Sequence, residues 1–201
     1  MFLACTLVFA SFLSGQTLRP KEIPAPEEFD WDHEISVGDE AYKTGQYAEA
    51  EQHYRKSLEV VERLHMSEVE RATSLASVAQ SLRYQKKYSE AEPLFREALA
   101  IREKVLPPHH PRTAWTLEGL GVTLAELKRP DEAEKYYLQA LAIWDRATED
   151  DSCHHGKVLD ALGRLYYGQS KYDKGRSDVR ACAFDLGGRQ GEVHSHPSGH
   201  E

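Results

Sequence analysis

The stretch YSEAEPLFREALAIREKVLPPHHPRTA, Tyr88 to Ala114, decides the fold, because every other legible segment is a better or worse copy of it. Its core is a small residue flanked by glutamates and followed by an aromatic and a second small residue. That core recurs as YAEAEQHYRKSL, PDEAEKYYLQAL and, altered, YDKGRSDVRACA. The small markers Ala50, Ala91, Ala133 and Gly175 are spaced 41, 42 and 42 residues apart. A fixed period of this length signals a repeat array, in which each unit buries its apolar face on its neighbours.

Within a unit the apolar positions keep a helical period: Leu75, Val78, Ala79 and Leu82, then Ala91, Leu94, Phe95, Ala98, Leu99 and Ile101. A short turn-like break separates the two runs, at Thr44-Gly45, Lys86-Lys87, Lys128-Arg129 and Ser170-Lys171, so each unit reads as a helix pair. Pro130 suits the first turn of a helix, where its missing N–H costs nothing. Gly38, Ala79, Gly121 and Gly163 stand in the first helices, where they are expected to face Ala50, Ala91, Ala133 and Gly175 and let the backbones approach. A larger side chain there would overpack the contact by roughly 1–3 kcal/mol. Tyr54, Phe95 and Tyr137 follow four residues after the marker on its face and are expected to fill the gap to the next unit. The fourth unit has Gly175 and Val179 instead. Glycine costs about 1 kcal/mol against alanine inside a helix, so its second helix is expected to be the least stable of the array.

These repeats resemble the tetratricopeptide repeat, and more narrowly its kinesin-light-chain type with a 42-residue unit. The resemblance rests on KYSEAEPLFREALAIREKVLPPHHPRTAWTLEGLG, with its Glu-Ala-Glu-Pro-Leu run and the link His110, Pro111, Arg112, Thr113, Ala114 into the next helix. It covers Trp31 to about Phe184. It implies an all-α fold, a right-handed α-α superhelix of about four helix pairs with the last degenerate, whose first helices line a concave groove for peptides or partner helices. Carried over unit by unit, the groove positions are Asp39 and Tyr42; Thr73, Gln80, Arg83 and Tyr84; Trp115, Glu118 and Val122; and Lys157, Asp160, Arg164 and Tyr167. Family members of this type place asparagines in the groove to clamp a peptide backbone through both amide donor and acceptor. This chain contains no asparagine, and Ala76, Ser77, Glu118, Gly119, Asp160 and Ala161 stand at the corresponding positions. The groove is therefore expected to work through aromatics and charges, with Arg83 and Arg164 as anchors, against the plain alternative of solvated helix faces.

The rest of the chain bounds the function. At 201 residues, 40% hydrophobic and 29% charged, the composition is that of a soluble helical protein. A net charge of -8, with lysine and arginine interspersed among glutamates, argues against nucleic-acid binding, which needs a basic stripe. Residues Phe2 to Leu13 form an uncharged apolar run of signal-peptide length, too short to span a bilayer. Residues 1–15 thus read as a signal peptide, implying export to the periplasm or beyond. A short retained membrane anchor and a true start upstream of Met1 are the alternatives. Residues 16–30 carry three prolines and read as a linker. The array follows over 31–184, in units of about 31–66, 67–107, 108–149 and 150–184, and 185–201 form a flexible His/Gly-containing tail.

Catalytic signatures are absent. His33 and Glu34 begin a zincin-like motif but Val37 stands where its second histidine belongs, and GGRQGE from Gly187 lacks the Lys and Ser/Thr of a phosphate loop. The recurrent glutamates recur because the repeat does. His194, His196 and His200 in the tail have the chemistry to take a metal, yet nothing there packs to fix the rings, so no metal or cofactor is assigned. His154 and His155 read as turn and helix-start residues. Cys153 and Cys182 bracket the last hairpin at ends that an antiparallel pair brings together. A disulfide between them would contribute roughly 3–4 kcal/mol in the chain-entropy model, and two ordinary thiols are the alternative.

The expectation is a non-enzymatic interaction scaffold that binds a protein or peptide, with no nucleic acid and no small-molecule substrate. Two other readings stay open. One is a component of the cell envelope that self-associates through the C-terminal unit, and the other is a metal-responsive protein using the His-rich tail.

Overall fold

The computed structural model describes residues 30–146 and 152–169, with the side chains of the second stretch from His154 onward. They form seven α-helices: α1 (Trp31–Lys43), α2 (Tyr47–Leu64), α3 (Glu68–Tyr84), α4 (Tyr88–Val105), α5 (Pro111–Glu126), α6 (Pro130–Trp144) and α7 (Ser152–Gly168). No strand occurs among the described residues, and no helix there is long and apolar enough to cross a membrane. The N-terminal apolar run, the linker, the second helix of the fourth unit with Gly175 and Val179, the Cys153 and Cys182 side chains, and the His-bearing tail all lie outside the described residues.

First and second helices start by different chemistry. The first helices carry side-chain caps. The Asp30 carboxylate accepts from the Asp32 N–H at 3.1 Å, the Ser67 hydroxyl from Val69 at 3.2 Å, and His110 Nδ1 from Arg112 at 3.1 Å, each satisfying an orphan donor of the first turn. The second helices α2, α4 and α6 have no side-chain cap and are launched by the hairpin itself. Gln46, Lys87 and Arg129 donate their N–H to Ala41, Leu82 and Leu124 at 2.8, 2.9 and 3.0 Å. The residue before each is left-handed, Gly45 at φ +79°, Lys86 at +63° and Lys128 at +62°. Only the first of these turns uses glycine, and a side chain in that conformation costs roughly 1–2 kcal/mol.

α1/α2, α3/α4 and α5/α6 are complete pairs, and α7 is the first helix of the fourth. Each helix packs on the next in sequence. The first helices also meet across units, α3 on α5 and α5 on α7, which puts them on the inner side of the stack. The pairs build a right-handed α-α superhelix. Its core runs continuously through the units, from Tyr54 through Leu82, Phe95, Leu120 and Tyr137 to Tyr166.

The small first-helix residues behave differently from the sequence expectation. A Cβ on Gly38 would lie 2.6 Å from the Tyr54 ring, and one on Gly121 would lie 2.7 Å from the Tyr137 ring. These glycines thus make room for the aromatic four residues after the marker, folded back onto its own unit, and not for the marker alanine. Phe95 reaches forward as expected, to within 2.7 Å of where a Cβ on Gly119 of the next unit would be. A Cβ on Gly163 would meet nothing within 4 Å.

Candidate interaction groove

The sequence-derived groove positions fall along the inner first helices and gather into two groups, one at each end of the described array. The first group lies at the seam between α1 and α3. Tyr42, half-buried, is edge-on to Tyr47 at 5.5 Å and to Tyr84 at 5.4 Å between ring centroids. Tyr47 and Tyr84 stack on each other at 4.7 Å and 16°. Buried Gln80 donates its amide N–H to the Tyr42 hydroxyl at 3.1 Å and accepts from Arg83 Nε at 3.2 Å. The Arg83 guanidinium lies 4.2 Å over the Tyr84 ring, a cation–π contact that fixes its fork at the groove surface. Tyr84 remains 43% exposed.

This packing splits the two phenols electrostatically. Burial, reinforced by its hydrogen bond with Tyr84, pushes the Tyr42 hydroxyl far above the ordinary phenol range. The hydrogen bond with Tyr42 lowers Tyr84 below it, and the charges of Arg83 and Lys157 lower it further. Lys157 belongs to α7, two units away, so its field acts across the concavity.

The second group lies between α5 and α7. Val122, Asp160 and Arg164 line a cavity of about 590 Å³ together with Ala125, Pro130, Tyr137 and Leu165. Asp160 and Arg164 pair at 2.9 Å with side chains 65% and 81% exposed, a rim contact of small energetic weight. Burial pushes the Tyr137 hydroxyl well above the ordinary range. Tyr167 is 72% exposed on the same helix.

The remaining predicted positions do not join either group. Asp39 is turned to its own unit, where its carboxylate accepts from the Tyr54 hydroxyl at 2.6 Å. Thr73 donates to the Val69 carbonyl within α3 at 2.8 Å. Trp115 packs half-buried against Leu75, Ala76 and Ala98. Glu118 Oε2 comes to 3.5 Å from His154 Nδ1 without a hydrogen bond, and both atoms are buried.

Sequence reasoning missed Tyr47, whose ring closes the first seam from the start of α2. It also underrated the histidines at the start of α7. His154 stacks on Trp144 at 5.0 Å, and His155, 4% exposed, pairs with Asp145 at 2.8 Å. Glu34, the carboxylate of the abortive zincin pattern, is buried against His53 at 2.7 Å. No group of three or more His, Cys, Asp or Glu among the described residues is placed to hold a metal.

The family model of the tetratricopeptide repeat matches residues 37–104, 70–146 and 112–174. A search of curated proteins finds no match. Among solved structures, BtubC (BKLC) from P. vanneervenii is similar at 19% identity and a TM-score of 0.69, over 85% of this chain and 67% of that one. The apo form of RapI is similar at 19% identity and a TM-score of 0.69, over 84% of this chain and 60% of that one. A kinesin light chain of Podospora anserina with nearly identical TPR-like repeats gives 18% identity and a TM-score of 0.65, over 83% of this chain and 79% of that one. At these identities the likeness is one of fold.

Proposed function

The chain belongs to the tetratricopeptide repeat family, and from that premise we propose that it is a non-enzymatic scaffold, its repeats built like those of kinesin light chains, that receives a protein or peptide segment on its concave face. Support comes from one observation above the others. The first helices carry aromatic and charged side chains where the apolar requirements of the core do not demand them, and Arg83 is held over Tyr84 by Gln80. A guanidinium that is stacked and hydrogen-bonded is already ordered before a partner arrives, so less side-chain freedom is lost on binding. Without asparagines to clamp a backbone, recognition rests on side-chain pockets and charge. The apolar run from Phe2 to Leu13, of signal-peptide length, supports a reading in which this work is done outside the cytoplasm.

A pull-down with the chain and with an Arg83→Ala/Arg164→Ala double variant tests the reading. Partners recovered by the chain and lost by the variant, with both equally folded, are the expected outcome. Equal recovery contradicts it.

A further inference from the structure

The cavity between α5 and α7 has an internal template that says what belongs in it. At the repeat spacing, Tyr42 recurs as Arg83 and then Ala125, Tyr47 as Tyr88 and then Pro130, and Tyr84 as Glu126 and then Gly168. In the first seam these three positions supply three rings, two stacked and one edge-on to both, and they fill the space between adjacent first helices. In the third seam the same positions carry Ala, Pro and Gly, and the space becomes a cavity of about 590 Å³ lined by all three. That size lies in the range of sites that enclose a ligand group, about 300–1,000 Å³.

Two further observations narrow the occupant. The Gln169 side chain forms part of the cavity wall, and its Oε1 is enclosed without a hydrogen-bond partner. A buried acceptor left unpaired is costly, so an occupant with a donor is favoured over one without. The charged residues of the lining, Glu126 and Asp160 against Lys128 and Arg164, balance, so nothing there calls for a charged group.

We propose that the third seam is a pocket for a tyrosine side chain of the bound partner, with the ring replacing the rings absent at Ala125, Pro130 and Gly168 and its hydroxyl donating to Gln169 Oε1 once that amide turns toward it. This deepens the concave-face reading and rests on it.

The test is a methyl NMR titration of the full chain with N-acetyl-L-tyrosinamide, N-acetyl-L-phenylalaninamide and N-acetyl-L-leucinamide. Saturable shifts at Ala125, Ala161 and Leu165 are expected. The tyrosine probe should bind about tenfold more tightly than the phenylalanine probe, the size of effect of one buried acceptor satisfied. Gln169→Leu should abolish that preference, and Ala125→Tyr or Gly168→Tyr, each checked by its melting curve, should abolish binding of all three. Absence of a saturable shift, equal binding of the three probes, or binding that survives both plugging variants overturns the proposal. If the plugged variants still recover the partners that the Arg83/Arg164 variant loses, this pocket falls and the concave-face reading stands. If the probes bind as described while the arginine variant loses nothing, the arginine-anchored reading falls, and with it the pocket's place in partner binding.

Discussion

The first and third seams of the array are built from the same backbone positions and end in opposite states. Between α1 and α3, Tyr42, Tyr47 and Tyr84 interlock, and Gln80 and Arg83 tie the rings into the helix surface. Between α5 and α7, Ala125, Pro130 and Gly168 leave about 590 Å³ open. At three equivalent positions the first seam carries tyrosine rings and the third carries Ala, Pro and Gly, and that difference in side-chain volume separates a filled seam from an open one. A filled seam stabilises the stack, and an open one leaves apolar surface and an unpaired acceptor for something else to cover.

The comparison can be broken most forcefully at Tyr42. Tyr42→Ala removes a ring that touches two others and strips buried Gln80 of its acceptor, so equilibrium urea unfolding should show a loss of about 3 kcal/mol. The equivalent change in the open seam, Ala125→Gly, should cost only about 1 kcal/mol, the helix-propensity difference. Similar losses at the two positions would mean that both seams are packed alike.

The glycines give a smaller contrast. Gly121→Ala forces the buried Tyr137 ring to move from 2.7 Å and should cost about 1–3 kcal/mol. Gly163→Ala, where a Cβ meets nothing within 4 Å, should be neutral or gain up to about 1 kcal/mol by the same melts. A large loss at Gly163 would show that the fourth unit closes on its first helix as tightly as the third.

The subtlest effect is spectroscopic. In an absorbance titration of the phenols, Tyr84 should ionise below the ordinary tyrosine range, because its hydrogen bond with Tyr42 favours the phenolate. Tyr42→Phe deletes that hydrogen bond and should move Tyr84 back upward. Tyr137 beside the open seam should stay protonated well above the ordinary range in both proteins, since burial, aided by the charges of Glu118 and Glu126, holds it there and none of these involves Tyr42.

The repeat period and helix pairing were legible in the sequence, because Ala50, Ala91 and Ala133 and the apolar rows around them obey both periods at once. Groove positions were legible only as positions. Tyr42, Gln80, Arg83 and Tyr84 were named by unit-to-unit equivalence, but equivalence does not reveal which way a side chain turns. Asp39 is a groove position by count and is drawn away by the Tyr54 hydroxyl. Tyr47 looks like Tyr88, its counterpart in the next unit, and nothing in the pattern marks it as the ring that stacks on Tyr84. The glycines were read as meeting small residues because small residues recur opposite them, whereas Tyr54 and Tyr137 fold back into the space. The open seam is an absence spread over three distant residues, each unremarkable until the helices bring them together.

One measurement bears directly on the claim that the third seam is an unfilled copy of the first: thermal unfolding of the chain and of its Ala125→Tyr variant, each with and without saturating N-acetyl-L-tyrosinamide. A ligand that binds only the folded state raises the melting temperature. The chain is expected to melt lower than the variant and to shift upward with the probe, while the variant does not respond. A variant that melts lower than the chain and still responds to the probe would contradict that claim.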